Sequence, residues 1–117
     1  MRAGSVRISR LMAWTNLCEF SDLKEGQGKY VDVGSFQLAV FLHEGKVFAV
    51  DNECPHAGGN LSSGMVMDGC AVCPWHYWAF KLDTGQMHGA PTVKIGAYPT
   101  RLEEADGKKL VQAELPG

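Results

Sequence analysis

Two short stretches of this chain carry side chains that could grip a metal: Cys54-Pro55-His56, and Cys73-Pro74-Trp75-His76. A lone cysteine is often just a small apolar side chain, and a lone histidine is more often hydrogen-bonded than ligating. Two mixed pairs in one window are a different matter, because two thiolates and two imidazoles together match the donor sets of few cofactors. Zinc held by two Cys and two His is one. The other is a two-iron, two-sulfur cluster in which two His replace two Cys on one of the irons. The spacing alone leaves both open. A proline follows each cysteine in a setting rich in Gly, Asn and Ser, so the ligands are expected on loops at strand tips rather than on a helix.

The wider window separates the two. CPHAGGNLSSG followed by CPWHYWAF resembles the Rieske signature, a Cys-x-His loop and a Cys-x-x-His loop joined by residues 57–72. FAVDNECPH before the first loop, FKLDTGQ after the second, and Gly89-Ala90-Pro91 are similar to the small ferredoxin branch of that family. A zinc site has no need of this flanking pattern. The resemblance implies one [2Fe-2S] cluster, with Cys54 and Cys73 on the iron that stays ferric and His56 and His76 on the iron that takes the electron. It implies an all-β fold, an antiparallel sandwich or barrel carrying a small inserted cluster-binding subdomain. It also implies a proline loop over residues 85–91 that covers the cluster and is fixed by Pro91.

Two departures from the high-potential respiratory members bear on tuning. Those proteins resemble this chain but add a Cys to each loop, forming a disulfide; the matching positions here are Gly59 and Trp75. They also place a Ser and a Tyr after the second His, where this chain has Trp78 and Phe80, neither with a hydroxyl. Fewer donors to the cluster stabilise its reduced state less, so the expected potential lies low in the family range, about −150 mV. Exposed ligand imidazoles would lose protons in the oxidised state, so the potential should fall at alkaline pH. Pro55, Ala57, Pro74, Trp75 and Tyr77 could form an apolar rim for a partner, with Gly58 and Gly59 allowing close approach. Trp78 is read instead as packing the small subdomain, and His88 as a surface residue.

The elements that must position these loops are strands. From Lys29 the chain alternates through Tyr30, Val31 and Val33, turns at Gly34-Ser35, and continues through Phe36, Leu38, Val40 and Leu42. A second turn over residues 43–46 restarts a strand at Val47, which delivers the chain into the first ligand loop. This is an antiparallel meander. Between the ligand pairs, Met65-Val66-Met67 and Ala71-Val72 bracket Asp68-Gly69, a strong hairpin signal. A strand over 78–82 returns from the second loop. After Pro91, residues 92–95 and 98–103 alternate, turn at Asp106-Gly107, and pair with 109–114 to close the base sheet. Residues 20–28 read as a turn and a loop, with Ser21 and Asp22 favouring local backbone bonds. Residues 1–12 read as a flexible lead-in and 13–117 as a single domain, with the cluster-binding subdomain at about 52–92.

Composition sets the outer bounds. The chain has 117 residues, 45% of them hydrophobic, which suits one domain with a core of its own. No apolar run approaches the ~20 residues of a membrane span, and the N-terminal MRAGSVRISRLMAW lacks the apolar segment of an export signal. A cytoplasmic location is expected, and there the remaining cysteines, Cys18 and Cys70, should be structural thiols. The formal net charge of −2, with charges scattered, excludes a basic nucleic-acid footprint. Cys70 and Cys73 spell Cys-x-x-Cys, but in a strand-to-loop passage rather than at a helix start, which argues against thiol–disulfide exchange.

Rieske centres also serve oxygenase catalytic subunits, whose mononuclear iron needs two further His and a carboxylate. Only His43 and His88 are left over, in separate elements, so this chain is not expected to be a complete oxygenase or catalytic alone. The resemblance points to a carrier taking electrons from a flavin reductase to a terminal oxygenase. The alternatives are the small subunit of an NAD(P)H-dependent nitrite reductase, beside its large subunit, and a zinc-stabilised interaction module.

Overall fold

The computed structural model describes residues 12–54, 59–74 and 77–116. The lead-in expected over residues 1–12 lies outside them except for Met12, which already belongs to strand β1 (Met12–Glu19). The sequence reading has no strand here, because MAWTNLCE lacks a clean alternation. Its partner is β12 (Lys108–Pro116), paired antiparallel from the opposite end of the chain with an irregularity between Asn16 and Cys18. After β1 comes a short 3-10 turn, Phe20–Asp22, where the Glu19 N–H donates to the Asp22 carboxylate at 3.1 Å. The expected local bonding at Asp22 is thus present.

The meander follows as β2 (Gly28–Val33), β3 (Phe36–His43) and β4 (Lys46–Asp51), joined by tight turns at Gly34-Ser35 and Glu44-Gly45. Its middle strand is buried on both faces, and the alternation sorts the side chains into two cores. Ala39 and Phe41 join Val50 in a core that reaches the ligand loops, while Leu38 and Val40 join Ala49, Val111, Ala113 and Leu115 in the core between sheets. A single strand therefore forms a wall of both.

The region expected to bind the cluster contains a five-stranded antiparallel sheet in sequential order: β5 (Met65–Met67), β6 (Cys70–Val72), β7 (Ala79–Lys81), β8 (Gln86–Met87) and β9 (Ala90–Lys94). Asp68-Gly69 turns β5 into β6 as expected. Residues 85–91, expected as a proline loop, are largely a hairpin: β8 and β9 pair as Met87↔Ala90 around His88-Gly89, with Gly89 at φ 84°. Pro91 sits within β9 at the sheet edge, where its missing N–H costs no ladder bond. The chain returns through β10 (Ala97–Tyr98), which pairs with β4, and β11 (Thr100–Ala105), which pairs with β12. The final hairpin and β1 make a three-stranded sheet, and β10-β4-β3-β2 makes a four-stranded one. Among the described residues all regular structure is strand or 3-10 turn, an all-β architecture as expected.

Candidate metal centre

The two cysteines come from separate loops into one contiguous buried cluster, shared with Leu61, Ala71 and Phe80. Cys54 is 1% exposed and Cys73 is fully buried. Each stands at the mouth of a loop closed by the same device. The Cys54 N–H donates to the Gly59 carbonyl at 2.8 Å, and the Cys73 N–H donates to the Trp78 carbonyl at 2.7 Å. In both cases the acceptor is five residues on, a proline follows the cysteine, and the histidine falls inside the span. His56 and His76 themselves lie outside the described residues, as do Pro55, Ala57, Gly58 and Trp75.

The first loop is anchored by Asn52, the one buried polar side chain among the described residues. Its Nδ2 donates to Asn60 Oδ1 and its Oδ1 accepts the Ser62 N–H, both at 2.9 Å. Its backbone N–H donates to the Gln37 carbonyl at 2.9 Å and its carbonyl accepts the Leu61 N–H at 2.7 Å. Four bonds made by one residue tie the strand before Cys54 to the chain after Gly59, and a buried amide this well satisfied rigidifies what it joins. Sequence reasoning missed Asn52, because nothing local distinguishes it from the turn-forming Asn60.

A second clasp sits where the inserted sheet leaves and rejoins the base. The Asp51 carboxylate accepts the Tyr98 hydroxyl at 2.7 Å and the Gly96 N–H at 2.8 Å, and the Asp51 N–H returns to the Gly96 carbonyl at 2.9 Å. A side chain at position 96 would collide with the Tyr98 ring and the Asp51 carboxylate, so the close approach requires glycine. Burial first, then the bond to Asp51 and its charge, raise the Tyr98 hydroxyl far above the ordinary tyrosine range and keep it a donor.

The second loop is held from inside by the Tyr77 N–H, which donates to the Cys73 carbonyl at 2.9 Å with Tyr77 at φ 61°. Tyr77 is 78% exposed, whereas Trp78 packs against the buried cluster and Phe80 is wholly inside it. The expected roles of Tyr77 in a surface rim and of Trp78 in packing match those positions. Cys18 and Cys70 are thiols without a disulfide, each raised above the ordinary range chiefly by burial. That environment makes them poor nucleophiles, in keeping with a structural role. The hairpin between β8 and β9 holds His88, whose backbone N–H donates to the Ala79 carbonyl at 2.8 Å and whose side chain is exposed, as expected of a surface residue.

The donor set fits an iron–sulfur group. Two thiols are withdrawn from water into one apolar wall, and each loop mouth is fixed by backbone bonds rather than by the side chains that would bind. Residues 13–99 match the family model for the Rieske [2Fe-2S] domain. The ferredoxin component of the alkene monooxygenase system of Xanthobacter autotrophicus is 30% identical, over 86% of this chain and 82% of its own. Cholesterol 7-desaturase of Hemicentrotus pulcherrimus is 38% identical over 71% of this chain, but that match spans only 18% of the desaturase. A structure from Mycobacterium tuberculosis assigned as the small subunit of an NADH-dependent nitrite reductase superposes with TM-score 0.78 at 30% identity, covering 89% of this chain and 96% of that one. A chain from the complex of reduced oxygenase and oxidized ferredoxin in carbazole 1,9a-dioxygenase superposes with TM-score 0.67 at 30% identity, covering 84% and 91%. On these matches and the fold that carries them, the chain belongs to the Rieske [2Fe-2S] domain family.

Proposed function

We propose that the protein is a one-electron carrier, with its [2Fe-2S] cluster held by Cys54 and Cys73 on one iron and His56 and His76 on the other. The observation that carries this reading is the repeated loop device: a buried cysteine at the mouth, a backbone bond to the fifth residue on, and a histidine within the span. Family membership favours iron and sulfide over zinc for this donor set. When bound, such a cluster takes up and releases one electron, and its two neutral imidazoles raise its potential above that of all-Cys clusters.

The chain's own work is to hold and to insulate. Leu61 and Phe80 share the buried wall with Cys54 and Cys73, the bonds of Asn52 brace the first loop, and the Asp51 clasp ties the inserted sheet to the base. Neither Trp78 nor Phe80 has a hydroxyl to offer, which supports a midpoint near the low end of the family range, about −150 mV. No helix among the described residues is long and apolar enough to cross a membrane. The thiols of Cys18 and Cys70 suit a reducing cytoplasm, where we place the carrier.

The similarity to the alkene monooxygenase ferredoxin component and to the carbazole dioxygenase complex supports transfer from a flavin reductase to a terminal oxygenase. On this reading the chain is an oxidoreductase component and not a catalyst alone. A second reading, the small subunit of a nitrite reductase, is favoured by the near end-to-end superposition on the Mycobacterium tuberculosis chain. Affinity purification of the cluster-loaded protein from its native cell separates them. Recovery of a flavin reductase and an oxygenase supports the first, and recovery of a large subunit with sirohaem and flavin supports the second.

A further inference from the structure

Two hairpin tips beside the second ligand loop carry an acidic residue in a backbone conformation that L side chains seldom adopt. Glu44 and Asp68 each sit at φ 52°, followed by Gly45 and Gly69 at φ 77° and 74°. A two-residue turn of this kind wants Asn, Asp or Gly in its first place. Aspartate satisfies that preference and glutamate does not; the Glu44 carboxylate lies 3.9 Å from His43 Nε2 on the same hairpin. The Glu44 N–H is held by the Glu25 carboxylate at 2.6 Å, which adds a further negative charge behind the tip.

Both tips line a groove of about 820 Å³. Phe48, Met67, Val72 and Ala79 give it apolar walls, and Glu44, Asp68 and Asp83 stand along it with Lys81 and two histidines, His43 and His88. With the histidines neutral, these charges leave a net excess of two negatives, equal to the formal net charge of the whole chain, −2. Tyr77 also lines the groove, next in sequence to His76 and fixed by its own N–H bond to the Cys73 carbonyl. The groove therefore runs from two acidic tips to the second ligand loop.

We infer that this groove is the recognition site for a segment of the redox partner that carries basic and apolar side chains. The inference rests on the electron-carrier reading and specifies how its partner is engaged. Exposed carboxylates on projecting turns act at about a Debye length, ~8–10 Å at moderate salt, and steer a basic surface before contact. The apolar walls then supply contact area, and Tyr77 places the docked segment against the loop that holds His76.

The test uses cluster-loaded protein and cytochrome c, a basic one-electron acceptor, in stopped-flow oxidation of the reduced carrier at low and high ionic strength. The variant Glu44→Lys/Asp83→Lys is compared with Glu103→Lys/Glu104→Lys, which makes the same charge change on exposed positions of β11, in a different sheet. The groove variant is expected to lose about tenfold or more in second-order rate at low salt, with little loss at high salt and an unchanged midpoint potential. The β11 variant should lose much less. Equal losses in both would show that only overall charge matters and would overturn the inference. If the lysine variant fails to load its cluster, Glu44→Gln/Asp83→Asn gives the same comparison against Glu103→Gln/Glu104→Gln, and an absence of any difference there overturns it equally. Failure of the wild-type protein to hold a reducible cluster would instead defeat the carrier reading itself, which absorbance and midpoint measurements establish beforehand.

Discussion

Asn52 shows how a residue without chemistry of its own can govern the site. Its four hydrogen bonds join Gln37, Asn60, Leu61 and Ser62 around the first loop. Asn52→Ala leaves the Ser62 N–H without its partner and frees the exposed Asn60 amide to water, and should cost about 1–3 kcal/mol in urea unfolding, with slower cluster loading as the companion effect. Tyr98 makes a pH-dependent contribution. Its folded value is raised above its unfolded one, so the native state keeps a proton that the unfolded chain gives up near pH ~10. The stabilisation is fully present below that pH and is lost as pH rises beyond it. Unfolding midpoints in urea should therefore fall more steeply on the alkaline side in the wild type than in Tyr98→Phe, with Tyr30, also raised by desolvation, common to both. The four candidate ligands were legible because sulfur and imidazole pairs at short spacing have few other uses. Asn52, Asp51 and Tyr98 were not, because their value lies in partners eight to 47 positions away.

At the scale of elements, the strands of the meander could be read directly, since each apolar position in alternation has a buried destination. That β3 walls two cores could not, because its second face is covered by β12, which returns from the far end of the chain. The same long-range pairing explains why β1 escaped notice. The stretch over 85–91 was read as a loop from its resemblance to the family's proline loop, yet β9 accommodates Pro91 because the strand is an edge. Close approach between elements yields a further prediction. Gly64 lies against the Val72 carbonyl, on the strand that leads to Cys73, and an added Cβ would run into that oxygen. Gly64→Ala should cost about 1–3 kcal/mol and displace β6. The checks are a lowered urea midpoint and an altered cluster absorbance, whereas Gly34→Ala, at a turn with open space, tests backbone strain alone.

Across the whole molecule, an inserted sheet carries both loops and is tied to the base at a neck where Asp51, Gly96 and Tyr98 meet. The family match ends at residue 99, so the whole closing β11–β12 hairpin lies beyond it, although β12 supplies Val111, Ala113 and Leu115 to the second core. Everything proposed about transfer depends on an uneven grip on the two irons. The most direct measurement is electron–nuclear resonance on the reduced, reconstituted protein with 15N-labelled histidine, alongside iron and acid-labile sulfide analysis. The account predicts equal iron and sulfide and strong nitrogen couplings from two histidines, with one set lost in His56→Cys and the other in His76→Cys. A reduced centre without histidine nitrogen coupling, or a colourless protein with zinc as its stoichiometric metal, would contradict it.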